Sequence, residues 1–223
     1  MAESPGAEAL SIPLPQPADT QTLGRRLAGI VRPGDLIALT GDLGAGKTAL
    51  ARALIASLRD PGGGDASGEE VPSPTFTLVQ TYDRLSAAGA PLAVWHFDLY
   101  RLGDPDEVDE LGWEEALAGG LVLVEWPDRL GARLPTPRLD VTLMYGPEAG
   151  GPETGGPETL ERETGGRDGA AFADPGRVAV LQGGAGWAAR LDALAALETP
   201  REATGGGRTD TTTTTGDAGD EQA

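Results

Sequence analysis

Eight consecutive residues in the first quarter of the chain have the types and spacing needed to bind phosphate. They are Gly41, Asp42, Leu43, Gly44, Ala45, Gly46, Lys47 and Thr48, and they satisfy every fixed position of the pattern G-x-x-x-x-G-K-[ST]. Glycines allow backbone N–H groups to converge on phosphate oxygens at a helix N-terminus, where the helix dipole also favours anions. In such a loop the lysine reaches the β- and γ-phosphates, and the threonine hydroxyl is a ligand of Mg²⁺. The segment therefore predicts a site for a nucleotide with its magnesium ion.

Lys47 is also the only lysine in the chain, because the other 16 of the 17 basic residues are arginines. A general preference for arginine explains those sixteen positions. The retained lysine is informative, because the wide planar guanidinium does not replace a compact ammonium where a point charge must fit. The composition thus supports a phosphate-binding role for Lys47.

Two acidic residues follow apolar runs that have the character of buried strands. Asp98 ends the run 92–98 (LAVWHFD), and Glu125 ends the run 121–125 (LVLVE). A protein with such a phosphate-binding loop needs a carboxylate at the end of a neighbouring strand, to hold the metal directly or through water. Two acids suggest that one serves the ion and one orients the attacking water, and periodicity leaves open which residue takes which role.

The segment 73–77 (SPTFT) is a candidate switch. It follows a glycine-rich loop at 59–71, at the place where proteins of this type carry a Thr or Ser hydroxyl near the γ-phosphate or Mg²⁺. The alternative is a proline turn that leads into a strand, with Thr75 as an ordinary strand residue.

Two further side chains near these motifs are candidates for a functional role. His96, the only histidine, lies between Trp95 and Phe97, and we interpret it as a packed structural residue rather than a catalyst. Trp126 follows Glu125 and either covers a site, contacts a partner or packs at the edge of the sheet.

The surrounding pattern predicts strand–loop–helix around the phosphate motif, with a strand at 35–40 and a helix at 47–58. Further strands are predicted at 11–14, 75–82, 92–97, 121–126, 138–145 and 177–182, and helices at about 20–31, 104–117 (broken near Gly112) and 186–197. This order indicates an α/β fold, a P-loop three-layer sandwich whose mixed sheet has antiparallel edge strands. We expect one domain over 8–198, with a Gly/Pro/Glu-rich insert at about 146–176, and a low-complexity, disordered tail at 199–223.

Composition narrows the class of function. The net charge of −18 makes the chain a poor nucleic-acid binder by itself. There is no cysteine for a disulfide or thiolate site, no apolar run of about 20 residues, and no basic, apolar signal sequence at the start. We therefore expect a cytoplasmic protein without a membrane segment. A guanine-reading N-K-x-D segment is impossible with one lysine, so ATP is favoured over GTP.

Four segments together resemble one family. They match, in order, the signatures of the bacterial TsaE ATPases, which take part in threonylcarbamoyl-adenosine modification of tRNA: GDLGAGKT at 41–48, SPTFTLV at 73–79, HFDLYRL at 96–102 and LVEWPDRL at 123–130. The resemblance spans roughly residues 11–198. It implies a Mg²⁺-dependent ATPase that is weak alone and works in a complex with TsaB and TsaD. TsaD performs the carbamoyl transfer, so tRNA would be met only through the complex.

The resemblance also implies roles for individual residues. Lys47 is the phosphate lysine, Thr48 a Mg²⁺ ligand and Thr75 the switch threonine. Asp98 and Glu125 are the two essential acids, and we assign Glu125 to the metal and Asp98 to the water or the switch. Trp126 would flank the site. The long loop at 59–71, the insert at 146–166 and the tail beyond 198 depart from the family pattern but leave these motifs intact.

Two other functions remain open on the residues alone. A small-molecule kinase would use the same loop with an acceptor site and an arginine lid, and it would form a phosphorylated product instead of free phosphate. A nucleotide-dependent assembly factor would bind a partner as its function, with incidental turnover.

Overall fold

The computed structural model describes residues 9–62, 71–146 and 176–196. Its strands are β1 Leu10–Leu14, β2 Leu36–Gly41, β3 Val79–Leu85, β4 Pro91–Asp98, β5 Leu121–Glu125, β6 Leu139–Tyr145 and β7 Arg177–Gly183. Its α-helices are α1 Pro17–Ala28, α2 Lys47–Ser57, α3 Trp113–Leu117 and α4 Ala185–Ala196. Two 3₁₀ segments, Pro105–Leu111 and Pro127–Arg133, flank α3 and β5.

All seven strands belong to one sheet, in the order β1-β7-β6-β2-β5-β4-β3. The central strands β6, β2, β5 and β4 run parallel to one another. The outer strands β1, β7 and β3 pair antiparallel with their neighbours. The predicted mixed sheet with antiparallel edges is therefore confirmed.

The sheet is buried on both faces, which makes the fold a three-layer sandwich. Residues 37 and 39 of β2 pack in one apolar cluster with α1, α2 and α4. Residues 36 and 38 pack in a second cluster with α3 and the 3₁₀ segments. Burial of alternate residues on opposite faces explains why β2 reads as a continuous apolar run, as central parallel strands do.

The parallel strands bring the predicted site residues to one edge of the sheet. In the strand register Leu39 of β2 lies opposite Glu125 of β5, and Glu125 lies opposite Asp98 of β4. Because parallel strands end at the same edge, the loop after β2 and the two strand-end acids become neighbours. Ligands of open α/β sheets bind outside this carboxyl edge.

Helix α1 packs closely against α2, the helix that begins at Lys47. Gly24 makes the close approach possible, because a Cβ there would lie 2.6 Å from the Ala53 Cβ and 2.9 Å from the Leu54 backbone nitrogen. We expect Gly24→Ala to lower the free energy of unfolding, since overpacking of about 1–3 kcal/mol exceeds the gain of about 1 kcal/mol in helix propensity.

Urea unfolding of the full chain measures this effect. Gly29→Ala is the matched control, because Gly29 has an ordinary φ of −73° and only the Arg26 carbonyl near its added methyl. A Gly24→Ala protein as stable as the unmodified chain would contradict the close packing of α1 on α2.

The structure corrects one local prediction and confirms another. The strand predicted at 75–82 begins only at Val79, because residues 74–77 form a turn in which the Leu78 N–H donates to the Pro74 carbonyl at 2.6 Å. The helical segment at 104–117 does break at Gly112, whose φ is 81°, and its first half is 3₁₀.

Most of the glycine-rich loop, most of the Gly/Pro/Glu-rich insert and the tail lie outside the described residues. Within the described ranges, no helix combines the length and the apolar character that crossing a membrane requires.

Candidate functional site

The loop between β2 and α2 is shaped by glycines with positive φ. The φ angles are 141° at Gly41, 80° at Gly44 and 108° at Gly46. A Cβ at Gly41 would collide with the Leu143 carbonyl oxygen, so β6 fixes where the loop starts. No side chain among the described residues caps the N-terminus of α2. The first N–H groups of this helix therefore suit an anion that lies on the loop.

Lys47 is folded beneath the loop. Its Nζ donates to the carbonyl oxygens of Gly41 and Asp42 at 2.7 and 2.8 Å. Only 4% of the side chain is exposed, and the ammonium lies 3.9 Å from the centre of the Trp126 ring. Burial lowers the pKa of Lys47 below its ordinary value, and the charges of Glu125 and Asp98 oppose that shift. The loop thus holds a compact cation at a fixed position.

Glu125 joins the strand edge to the first turn of α2. Its Oε2 accepts a hydrogen bond from the Thr48 hydroxyl at 2.8 Å. Its Oε1 lies 2.9 Å from His96 Nε2. The carboxylate is 2% exposed, so both of its oxygens are used within the protein.

Asp98 makes a separate set of contacts with the segment 73–77. Its Oδ2 accepts from the Thr75 hydroxyl at 2.6 Å, and Thr75 shares a second hydrogen bond with Ser73 at 2.8 Å. Its Oδ1 accepts from the Tyr100 N–H at 3.2 Å. The expected proline turn into a strand is present, but Thr75 lies in that turn and faces an acid, so its placement as an ordinary strand residue is wrong.

An open pocket of about 200 Å³ lies between these groups. It is lined by the loop, the first turn of α2, Thr75, both acids, Tyr100 and Trp126. Trp126 has a left-handed backbone, with φ 59° and ψ 51°, and its ring lies 5.0 Å from the Tyr100 ring. Of the three interpretations offered for Trp126, this geometry agrees with a side chain that covers a site.

Not every predicted site residue lines the pocket. Leu43, Gly44, Gly46, Lys47, Thr48, Thr75, Asp98 and Glu125 do. Gly41 and Asp42 instead hold Lys47 through their carbonyl oxygens. Ala45 is buried in the apolar cluster beside α2, so only its backbone is left to meet a ligand.

Three residues at the site were not anticipated. Ala49 and Tyr100 line the pocket, and His96 contacts Glu125. The expected burial of His96 is confirmed, because its side chain is 0% exposed. The sequence could have placed His96 near the predicted acids. Side chains alternate along β4, so those of residues 96 and 98 lie on the same face of the strand.

The donor set suits a hard cation. Thr48 Oγ1 and Glu125 Oε2 are oxygen atoms that already lie 2.8 Å apart on the pocket wall. Mg²⁺ prefers such ligands and is usually bound by one or two protein groups together with substrate phosphates and water. These residues therefore fit a magnesium ion.

Comparison with known sequences identifies one family. A family model described as threonylcarbamoyl adenosine biosynthesis protein TsaE matches residues 14–150, more than half of the chain. A Rickettsia felis protein named tRNA threonylcarbamoyladenosine biosynthesis protein TsaE is 39% identical over 125 residues, which are 56% of this chain and 67% of that protein. A Mycobacterium tuberculosis protein of the same name is 39% identical over 136 residues, 58% of this chain and 76% of that protein.

Comparison with solved structures supports the architecture. The crystal structure of YdiB from Bacillus subtilis matches with a TM-score of 0.56 and 22% sequence identity, covering 88% of this chain and 100% of that one. At this identity the likeness supports the fold alone, the α/β sandwich with a mixed seven-stranded sheet. The family model matches more than half of the chain, and this extent shows the family membership. The chain belongs to the TsaE family, the threonylcarbamoyladenosine biosynthesis proteins.

Proposed function

We propose that this protein binds ATP with Mg²⁺ in the pocket beside Lys47 and hydrolyses it in support of threonylcarbamoyl-adenosine modification of tRNA. It does so in the cytoplasm, in a complex with TsaB and TsaD. The observation that carries the proposal is the convergence at one sheet edge of Lys47, Thr48, Asp98 and Glu125 around an open pocket. This is the set of groups that phosphoryl transfer to water requires.

Lys47 provides the positive charge for the phosphates. Its ammonium donates to two carbonyl oxygens of the loop, and these contacts hold it in place at the pocket. A cation that is already oriented and partly desolvated stabilises developing negative charge without reorganisation. The backbone N–H groups at the start of α2 add to this field.

The two acids have different neighbours, which supports different roles. Glu125 is bonded to Thr48, the residue that ligates Mg²⁺ in loops of this pattern, so Glu125 belongs to the metal side. Asp98 is bonded to Thr75, so it belongs to the switch segment and orients the attacking water. Bound Mg²⁺ would neutralise charge on the β- and γ-phosphates.

The proposed chemical step uses these groups. Asp98, with the Thr75 hydroxyl bonded to it, orients a water for attack on the γ-phosphorus, and the bond from that phosphorus to the β–γ bridging oxygen breaks to release ADP. Lys47 stabilises the charge on the phosphate oxygens. Trp126 and Tyr100 line one side of the pocket, with their ring centres 5.0 Å apart.

Exposed apolar side chains beside the pocket support a dependence on partners. Leu43, on the loop, is 74% exposed, and Phe76, next to Thr75, is 83% exposed. Contiguous exposed apolar patches are typical of surfaces that a partner covers, and we propose that Leu43 and Phe76 belong to one such surface. The net charge of −18 disfavours direct contact with tRNA, so the nucleic acid is met through TsaB and TsaD.

Phosphate release from Mg²⁺–ATP, measured with and without a purified TsaB–TsaD pair, tests this proposal. We expect slow release by the protein alone and a clear change in rate or in ATP affinity when the pair is added. The Lys47→Ala protein with the same pair is the control for release by other components. An unchanged rate and affinity would contradict the proposed role.

The two alternative functions give different outcomes in the same experiment. Phosphorylated product instead of free phosphate would identify a kinase. A partner complex that needs ATP binding but no turnover would identify an assembly factor.

A further inference from the structure

His96 occupies an unusual position for a structural histidine. It lies on β4 two residues before Asp98 and opposite Leu123 in the strand register. Leu123 and Val94 belong to the apolar cluster beneath α2, so alternation places His96 on the sheet face that α2 covers. Its side chain is 0% exposed, and its Nε2 lies 2.9 Å from Glu125 Oε1. An imidazole has thus been buried behind the carboxylate that faces Thr48.

The surroundings of the ring determine where its proton lies. Nδ1 has no hydrogen-bond partner within the described part of the chain and is shielded from solvent. A proton on Nδ1 would therefore be a buried donor without an acceptor, which is costly. A proton on Nε2 instead forms a charge-assisted hydrogen bond with Glu125 Oε1. The Nε2–H form is the one that the site favours.

We propose that His96 is a positioning residue that fixes the rotamer of Glu125 by donating from Nε2 to Oε1. This rests on the proposed function of Glu125 on the metal side of the pocket. With Oε1 held from behind, Oε2 is directed to Thr48, 2.8 Å away, and to the place where the cation would bind. Glu125 has several rotatable bonds, and one anchor alone would leave the direction of Oε2 less defined. Groups that orient a metal ligand in this way typically affect metal affinity or activity about 10- to 100-fold.

Three variants separate positioning from simple packing. His96→Leu removes the donor and keeps an apolar core residue. His96→Gln keeps an N–H donor that reaches a similar distance from the backbone. Val94→Ala is the matched control, because Val94 is buried on the same strand face, two residues earlier, and the change removes core packing without altering the partner of Glu125.

The expected result is a change in magnesium dependence. In His96→Leu, phosphate release falls about 10- to 100-fold and the half-saturating Mg²⁺ concentration rises, while binding of a fluorescent ATP analogue in EDTA stays the same. His96→Gln recovers most of the loss, and Val94→Ala leaves the magnesium dependence unchanged. The proposal is overturned if His96→Leu behaves like Val94→Ala, or if His96→Gln is as impaired as His96→Leu.

A second measurement requires neither nucleotide nor turnover. Because His96 is the only histidine in the chain, nitrogen-15 NMR of the full chain, with any purification tag removed, gives one pair of imidazole signals. We expect the pattern of the Nε2–H tautomer, and a shifted Nε2 signal in Glu125→Gln. An Nδ1–H tautomer overturns the positioning role whatever the hydrolysis rate is. If the unmodified protein instead shows the expected tautomer but no Mg²⁺-dependent release of phosphate, the proposed function has failed. The NMR signal thus tests the positioning role separately from the proposed ATPase function.

Discussion

Replacement of Lys47 by alanine is expected to remove ATP turnover, with a loss of at least about 100- to 1,000-fold, the usual effect of deleting one preorganised group that stabilises the transition state. Among the described residues that line the pocket, Lys47 is the only cation. Its loss leaves the phosphates with backbone N–H groups and the metal alone. Fluorescence titration with an ATP analogue and phosphate release measure binding and turnover separately.

The same substitution should leave the fold intact. The pKa of Lys47 is lowered in the folded protein, chiefly by burial, which means that the protonated lysine is less favoured there than in the unfolded chain. The positive charge of Lys47 therefore lowers the free energy of unfolding at neutral pH. This destabilisation is lost as the pH rises past the ordinary lysine pKa of 10.5. Arg52→Ala, at an exposed cation on the same helix, is the control and should change neither binding nor turnover. An undiminished ATPase rate in Lys47→Ala would disprove the assignment of the loop.

The second large effect is expected from the two acids, and it differs between them. Glu125→Gln keeps the shape of the side chain but removes the negative charge beside Thr48, so the affinity for Mg²⁺ and the turnover should both fall, the turnover by about 100- to 1,000-fold. Asp98→Asn should retain magnesium affinity and lose turnover, because its contact with Thr75 serves the water and the switch. Turnover measured over a range of Mg²⁺ concentrations distinguishes the two patterns.

The opposite pattern would reverse the assignment. If Glu125→Gln binds Mg²⁺–ATP normally while Asp98→Asn loses the metal, then Asp98 is the metal-side acid. Asp140→Asn is a suitable control, because Asp140 is a partly exposed acid on β6 that pairs with Arg138 and does not line the pocket.

The sequence predicted well the structural elements that depend on residues close together in the chain. The strand, loop and helix around Lys47 follow from an apolar run, positive-φ glycines and helical spacing, all of which act within a few residues. The acids Asp98 and Glu125 were selected because each ends an apolar run, and parallel pairing places these two ends side by side. The mixed sheet followed from the order of these elements, and the continuous apolar runs of β2 and β5 mark the centre of the sheet. The alternating pattern of β6 did not reveal that this strand is also central and parallel to β2.

Contacts between distant segments were less accessible to sequence reasoning. The spacing of side chains placed His96 inside the sheet but could not identify Glu125, 29 residues away, as its partner. Thr75 was assigned to a strand or a switch with equal weight, because the turn that directs it toward Asp98 depends on the position of β4. Trp126 has a left-handed backbone, which no propensity rule anticipates for a tryptophan. Its stacking over Lys47 became visible only with the strands in place.

A crystal structure of the full chain with Mn²⁺, in place of Mg²⁺, and a non-hydrolysable ATP analogue tests most directly whether the loop at 41–48 binds the nucleotide and its metal. Anomalous scattering locates the ion without ambiguity. We expect the β- and γ-phosphates on the loop at 41–48 in contact with Lys47 Nζ, and the ion bonded to Thr48 Oγ1 on the side of Glu125. A nucleotide bound elsewhere, or an ion held by Asp98 away from Thr48, would contradict the account.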